Sequence, residues 1–288
     1  MEQIILQHLG NDAAPRATEE SMYPNIDSSY TVRSYTGERI AIRDNHTYGI
    51  KPWGANMYTQ MQGLAIYGDM LIRTRGTGYS HKIYRIGTSG NLTELATFNF
   101  NLGHANALQF APNVEDGQVF PYLYVVGLGS YCYVLSISSS YEVTLVQTIT
   151  IQDAGQILRG DDGFIWTSAS NADATRRFTK YRQVSVSEGD VTLTDADIVD
   201  TFNSVEAMPS ATYTAQGWKV KQGKIWYCYG ANGSGQNRGV KIYDTASHRL
   251  ITTIDLSDYT TLEFEDVELY DNGLVIATYA ADMYMLRF

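Results

Sequence analysis

Cysteine is scarce in this chain, which has two in 288 residues. Cys132 and Cys228 both lie in apolar, strand-like stretches, SYCYVLSI and KIWYCYG, so we expect buried free thiols. Two cysteines cannot supply the disulfide framework of a small secreted scaffold or a cysteine-rich metal site. The fold must therefore depend on an ordinary apolar core.

Long hydrophobic runs are also missing, since no stretch approaches the roughly 20 apolar residues of a membrane span. The first residues, MEQIILQHLG, carry an acid at position 2 and no basic segment, which is not typical of a signal peptide. We expect no membrane insertion. The compartment stays open between the cytosol, a virion and export after removal of a leader.

Basic residues are fewer than acidic ones, with 21 Lys and Arg against 31 Asp and Glu and a net charge of −10. Nucleic acids and anionic bilayers attract clustered basic side chains. We therefore expect neither a nucleic acid nor an anionic membrane surface as a partner.

Tyrosine, in contrast, is abundant: the chain has 22 tyrosines, 12% aromatic residues and only 18% charged residues. Aromatic and β-branched side chains suit a pleated, half-buried surface, so this composition favours strands. A chain of this length is long enough for two domains, but closed all-β folds often use it as one.

Five segments of the chain share one pattern. Each opens with a polar residue and has an apolar residue two positions further on, four of the five have another apolar residue two positions after that, and a turn signal follows, which is typical of a strand. The opening polar residues are Gln62, Asn106, Gln156, Gln216 and Glu265. The apolar residues two positions further on are Leu64, Leu108, Leu158, Trp218 and Val267. Two more apolar strands follow in every segment, and a fourth follows in all but the last.

This repeat recurs at intervals of roughly 50 residues. Four antiparallel strands at such a period predict an all-β fold, a five-bladed β-propeller with four strands per blade. Because the last repeat lacks a fourth strand, we expect an N-terminal strand to close the ring, at 37–44 in preference to 2–9. A long double-sheet sandwich is the alternative architecture.

The N-terminal residues differ from the repeats in composition. We expect 1–36 to be an irregular arm and 37–288 to be the propeller. A homo-oligomer held together through this arm is one possible assembly.

The opening residues of the five inner strands predict a candidate site. The starts of these strands surround one mouth of the central channel, which we call the top, and His104 falls at the same mouth. Amides suit hydrogen bonds to a hydroxyl-rich ligand. The predicted ligand-binding residues are Gln62, His104, Asn106, Gln156, Gln216, Glu265, Arg73, Arg75, Arg176, Arg238 and Trp218.

The arginines enter this set because the stretches between second and third strands also lie at the top. RTRGTGYSHK, SASNADATRR and YGANGSGQNRG are rich in Gly, Ser and Asn and carry arginine. Guanidinium groups suit carboxylate, sulfate or phosphate, so we expect an anion-leaning face. Trp218 enters as a side chain able to stack on a sugar ring.

Catalysis is an alternative at the same mouth, with Glu265 as acid or base and His104 as its partner. Adjacent strand residues point in opposite directions, so we expect Glu265 to face the channel with Val267, and Asp266 to face away. Glu263 is a candidate second carboxylate. His104, Asn106 and Glu265 also offer a calcium-like site, although we expect no cofactor.

Part of the chain resembles a known propeller group. Gln62-Gly63-Leu64, Tyr84-Arg85-Ile86 with Gly90, and Gly103-His104-Ala105-Asn106 resemble motifs of phage and prophage proteins often labelled teichoic acid biosynthesis protein C-like. Related propellers occur in tail receptor-binding proteins. The resemblance covers roughly residues 60–126, departs at Ala107-Leu108, and implies a five-bladed propeller with a glycan- or cell-surface-related role.

Three functions follow from these observations. The first is a module that binds a glycan or an anionic surface polymer, in a phage tail or on a gut-type bacterial surface. The second is a glycoside hydrolase or polysaccharide lyase with its site at the top of the channel. The third is a non-catalytic structural or assembly platform. We favour a protein that is not an enzyme.

Overall fold

The computed structural model describes residues 51–53, 61–76, 80–87, 92–127, 129–171, 175–204, 215–231, 237–257, 261–270, 273–279 and 283–287. Its strands form five small sheets, and most hydrogen-bonded neighbours within a sheet are consecutive strands of the chain. The chain is a five-bladed β-propeller, as the repeat predicts.

The blades follow one another along the chain. The first strand, β1 (Lys51–Trp53), belongs to blade five. Blade one contains β2 (Met61–Tyr67), β3 (Met70–Arg75), β4 (Ser80–Ile86) and β5 (Leu92–Asn99). Blade two contains β6 (Leu108–Phe110), β7 (Leu123–Val126), β8 (Tyr131–Ile137) and β9 (Val143–Ile151). Blade three contains β10 (Gln156–Arg159), β11 (Phe164–Ser170), β12 (Arg176–Gln183) and β14 (Ile198–Asn203). Blade four contains β15 (Ala215–Lys221), β16 (Lys224–Tyr229), β17 (Gly239–Asp244) and β18 (Leu250–Asp255), and blade five contains β19 (Phe264–Tyr270), β20 (Gly273–Thr278) and β21 (Met283–Arg287).

The outer strand of blade five precedes blade one in the sequence. Lys51–Trp53 pairs antiparallel with β21, with Lys51 opposite Met285. The two segments expected to close the ring, 2–9 and 37–44, lie outside the described residues, as does the expected arm, 1–36. Their roles stay predictions.

Blade two has a fifth strand that the sequence pattern does not reveal. The segment between β12 and β14 contains two short 3₁₀ helices and β13 (Val191–Leu193), which pairs parallel with β9. Gln147 of β9 donates to the Ser185 carbonyl at 2.9 Å, and the Asp190 carboxylate accepts from the Thr148 amide at 2.7 Å. The outer edge of blade two is therefore covered by an excursion from blade three.

Apolar side chains fill the spaces between neighbouring blades. Leu64 and Leu71 of blade one pack in one cluster with Val275 of blade five, so the last blade meets the first. Cys132 and Cys228 are buried free thiols, as predicted. Among the described residues, no helix has the length and apolar character needed to cross a membrane.

Candidate functional site

A buried ion pair lies at the centre of the ring. Lys219 of β15 and Asp266 of β19 meet at 2.6 Å, and neither side chain has any exposed surface. The same carboxylate accepts a 2.8 Å hydrogen bond from the Leu64 amide of β2. Since each of these strands is the innermost strand of its blade, Asp266 ties blades one, four and five together.

Further polar contacts lie along the same strands. Lys221 pairs with Glu268, which also accepts from the Ile66 amide at 3.4 Å. Gln109 of blade two makes two hydrogen bonds to Val220 of blade four, donating to its carbonyl at 2.7 Å and accepting from its amide at 2.9 Å. The sequence carries a signal of this layer, because K-V-K in β15 and D-V-E in β19 share a period of two.

The expectation that Asp266 faces away from the channel is wrong. The register between β19 and β20 shifts between Phe264 and Asp266, which is a β-bulge. Val267 consequently packs in the core with Trp226 and Ile276, while Asp266 points to the centre. Glu265 is also buried, so the bulge brings both acids inside.

Above this layer, three side chains form a hydrogen-bonded row. Asn106 Nδ2 donates to Gln216 Oε1 at 2.9 Å, and Gln216 Nε2 donates to Glu263 Oε1 at 2.6 Å. The row runs from blade two to blade four and then to the residue before β19. Each amide is held in one orientation by its neighbour, which places the Glu263 carboxylate beside the channel mouth.

Glu265 lies next to this row with 2% of its surface exposed. Burial, assisted by the nearby Glu263 carboxylate, raises the pKa of Glu265 to about 8, against the opposing influence of Arg73 and a hydrogen bond from Gln62. Burial also raises the pKa of Glu263, which is half-buried and lies near His104 and Arg238. Glu263 and Glu265 are thus close enough for their charges to interact.

His104 is exposed at the entrance to this cluster. It occupies a turn in which Gly103 and Ala105 have positive φ angles of 66° and 40°. The Ala105 carbonyl accepts from the Gly63 amide at 3.1 Å and from the Thr74 hydroxyl at 2.8 Å, so contacts with blade one hold the turn in this unusual backbone conformation.

The arginines of the predicted site are mostly buried. Arg73 lies within β3, has no exposed surface, and donates to the Thr278 carbonyl at 3.0 Å. Burial lowers its pKa to about 10. Arg176 bonds Ser168 and Ser170 and lies over the Tyr227 ring.

Arg238 is similarly buried and donates to the Thr261 carbonyl at 3.1 Å, whereas Arg75 is only half-buried. Guanidinium groups placed in this way neutralise and brace the protein interior. Three of the four arginines of the expected anion-leaning face are therefore internal.

Trp218 and Gln156 stand apart from the cluster. Trp218 is completely buried and packs against Phe178, with ring centroids 6.0 Å apart, so it is a core side chain. Gln156 starts β10 and is half-buried, and its Oε1 has no hydrogen-bond partner among the described residues.

Several buried polar atoms of the cluster lack partners within the described part of the chain. They are Gln62 Oε1, Glu265 Oε2, and Nε and Nη1 of Arg73. Buried polar groups normally have partners, so these atoms are places where the fold leaves hydrogen-bonding capacity unused. In the same described ranges, no group of three or more His, Cys, Asp and Glu side chains is placed to hold a metal ion.

No protein-family model and no curated protein sequence matches this chain. Among solved structures, glutaminyl cyclase of Myxococcus xanthus matches with a TM-score of 0.52 and 12% identity, covering 83% of this chain and 94% of that one. The tail fiber of Staphylococcus aureus phage P68 matches with a TM-score of 0.48 and 9% identity, covering 82% and 50%. The β-propeller domain of Myceliophteria thermophila Cps50 (Swd1) matches with a TM-score of 0.40 and 9% identity, covering 78% and 82%. At such identities, the likeness to the Myxococcus protein shows the fold alone.

Proposed function

We propose that this propeller binds a hydroxyl-rich ligand, a glycan or a cell-surface polymer, at the top mouth of its channel. The observation that carries the proposal is the set of buried, unpartnered polar atoms on Gln62, Glu265 and Arg73 beside the exposed His104. Oxygen acceptors and guanidinium donors lie together there. A hydroxyl group both donates and accepts, so it suits both kinds of partner.

The neighbouring row supports the same proposal. Asn106, Gln216 and Glu263 hold one another in fixed orientations. A site fixed in advance loses less conformational freedom when a ligand binds. Arg176 and Arg238 are engaged by hydrogen bonds inside the protein, so the proposal rests on hydroxyl recognition. Binding of an anionic polymer is a narrower version of it.

The phage and prophage resemblance adds a biological setting. It suggests a ligand on a bacterial surface, which is the class of molecule that a tail-associated propeller meets. We propose this setting together with the glycan, since the motifs around Gln62 and His104 carry both.

A glycan array with matched variants tests the proposal. His104→Ala removes the exposed side chain at the entrance, and Asn113→Ala is a control at an exposed asparagine in the loop between β6 and β7. We expect the wild type and Asn113→Ala to bind the same glycans, and His104→Ala to bind about tenfold more weakly, the value of one hydrogen bond. Absence of binding to any glycan or surface polymer contradicts the proposal, and equal binding by all three proteins removes His104 from the site.

Acid–base catalysis is a second candidate, favoured by the Glu263–Glu265 pair. A carboxyl group with a pKa of about 8 is protonated at neutral pH and able to act as a general acid. In this candidate Glu265 protonates the leaving group of a glycoside hydrolase or polysaccharide lyase reaction.

The test is turnover on a panel of polysaccharides. A peptide with an N-terminal glutamine joins the panel, because the Myxococcus relative is named a glutaminyl cyclase. Glu265→Gln should abolish turnover while leaving ligand binding in place. The candidate fails when the wild type turns over no member of the panel.

A further inference from the structure

The outer strand of a blade ends its sheet, so its outward backbone groups are open to pairing with a further strand. In blades one, three and four this strand carries an acidic residue. These residues are Glu94 in β5, Asp200 in β14 and Asp255 in β18. A charged side chain on an edge strand opposes pairing with another sheet, so these three edges are protected by their own sequences.

The fourth strand of blade two has no such protection. β9 reads VTLVQTITI, without a charged residue, a proline or a glycine, and its nine residues make it the longest of the described strands. Uncharged segments of high β-propensity without proline are the kind that pair with further copies of themselves. Leu145 of β9 is 37% exposed, so apolar surface accompanies this edge.

A segment of blade three covers part of the β9 edge. This segment spans residues 184–197 and is called the strap below. Its strand β13 pairs with residues 149–151 of β9. The Asp190 carboxylate of the strap accepts from the Thr148 amide at 2.7 Å, and Gln147 Nε2 donates to two strap carbonyls at 2.9 Å and 2.5 Å. The strap therefore occupies the outer edge of β9 from 147 to 151.

The strap is held by partly exposed contacts. Arg182, in β12, forms ion pairs with Glu188 at 2.9 Å and with Asp197 at 3.0 Å. The same two carboxylates accept from the amides of Ser185 and Thr194, at 2.7 Å and 2.8 Å, where the two 3₁₀ helices begin. Exposed ion pairs each contribute little to stability. Detachment of the strap thus breaks mainly weak contacts and leaves β6 to β9 paired with one another.

We infer that the outer edge of β9 is a self-association surface that the strap keeps covered, and that its partner, once uncovered, is β9 of a second copy of this chain. β13 is parallel to β9 and pairs with three of its nine positions. An antiparallel β9 from a second copy offers nine residues, a length that no other described strand has. Neither strand carries a charge that opposes the pairing.

The mass of a strap variant in solution tests the inference. Asp190→Ala removes the acceptor of the Thr148 amide, and Thr192→Pro, at an exposed position, removes a backbone donor from β13. Light scattering after size exclusion gives the mass of the full chain over about a hundredfold range of concentration. A pairing of β9 with β9 has two-fold symmetry and closes at the dimer. We expect the double variant to reach twice the wild-type mass at the highest concentration and to dissociate on dilution.

Asn106→Ala is the control for loss of stability. It breaks the hydrogen bond between Asn106 and Gln216 and leaves the strap contacts in place. We expect it to keep the wild-type mass at every concentration. The inference is overturned if the double variant also keeps the wild-type mass, or if Asn106→Ala associates to the same extent as the double variant.

A lysine on the edge identifies the surface that associates. Thr148 lies one residue from the midpoint of β9, so an antiparallel pair of β9 strands makes the two Thr148 positions diagonal neighbours. Thr148→Lys, added to the double variant, places two cations there and should restore the wild-type mass. Persistence of the doubled mass would show association through another surface and would contradict the inference.

Arg182→Ala decides the question if the double variant does not unfold cooperatively on heating. The Arg182 side chain is 41% exposed, so its loss removes both ion pairs of the strap without opening the core. We expect a partial shift to the dimer at the highest concentration, and Thr148→Lys should reverse it. An unchanged mass of Arg182→Ala at all concentrations overturns the inference.

Discussion

Asn106 lies two residues before the inner strand of blade two, Gln216 lies in the inner strand of blade four, and a 2.9 Å hydrogen bond from Asn106 Nδ2 to Gln216 Oε1 joins them. The two residues are 110 positions apart in the chain. The bond places the two amides in defined orientations, and through Gln216 it also orients Glu263. The site is thus assembled by contacts between blades and not within any one of them.

Asn106→Ala should destabilise the protein by about 1–3 kcal/mol, because Gln216 Oε1 would be left buried without its donor. Urea unfolding of the variant and of the wild type measures the change. Asn113→Ala, at an exposed asparagine, should stay within about 0.5 kcal/mol of the wild type. Equal stability of the two variants would show that the bond between Asn106 and Gln216 contributes nothing.

The repeat predicted most of the fold because its signals are local. Leu64 and Leu158 each lie two positions after a polar residue, Gln62 and Gln156, and Gly163 has a positive φ of 82° in the turn between the first two strands of blade three. Such features show in a window of ten residues or fewer. Twenty of the strands described in the five sheets are either strands that the repeat predicts or the N-terminal strand that pairs with β21.

What the sequence hid depends on distant partners. Arg73 appeared to belong to an exposed loop, yet it is buried because the Thr278 carbonyl of blade five accepts from it. The bulge at Glu265 depends on how β19 pairs with β20, which period-two reasoning does not include. Similarly, Val191–Leu193 forms a strand because the edge of blade two is available to it.

Lys219→Met should destabilise the protein by about 3–5 kcal/mol, because it leaves the Asp266 charge buried and unpaired. Adding Asp266→Asn should recover part of this loss, since an amide oxygen still accepts from the Leu64 amide. Chemical denaturation of both variants measures the effect.

The matched control is an exposed ion pair. Arg85 and Asp69 meet at 3.5 Å with 55% and 65% of their side chains exposed, so Arg85→Ala should cost about 1 kcal/mol or less. A loss for Lys219→Met no larger than the loss for Arg85→Ala would contradict the importance assigned to the central pair.

Stability should fall as the pH rises toward 8, because of Glu265. Its pKa is 4.5 in the ordinary state and about 8 in the folded protein. Between these values the folded chain holds a proton that the unfolded chain has released. The stabilisation from Glu265 is therefore complete below about pH 4.5 and is lost as the pH rises through 8, at up to about 1.4 kcal/mol per pH unit.

The unfolding free energy is measured at about pH 6.5, 7.25 and 8.0, within this window. These values test whether Glu265 lowers the stability as the pH rises. The pKa of Asp266 is also raised, to about 6, so the pH dependence that Asp266 adds to the stability lies largely below this pH range. Glu265→Gln should reduce the slope by about 1 kcal/mol per pH unit. A wild type and variant with parallel pH profiles would place the proton elsewhere.

Gly217→Ala tests the close approach of three inner strands. The new methyl group would lie 2.2 Å from the Asn106 carbonyl oxygen and 2.4 Å from Asp266 Oδ1, so the backbone of blade two must move. We expect a loss of about 3 kcal/mol or more in unfolding free energy, above the usual range for overpacking. Gly117→Ala is the matched control, because its φ is +81° and nothing lies within 4 Å of the added Cβ. The unfolding free energy of that variant should fall by only about 1–2 kcal/mol, the strain of an alanine in the left-handed conformation. If Gly217→Ala is no less stable than Gly117→Ala, the centre of the ring has room for a methyl group, and the close approach of these strands does not limit the residue at this position.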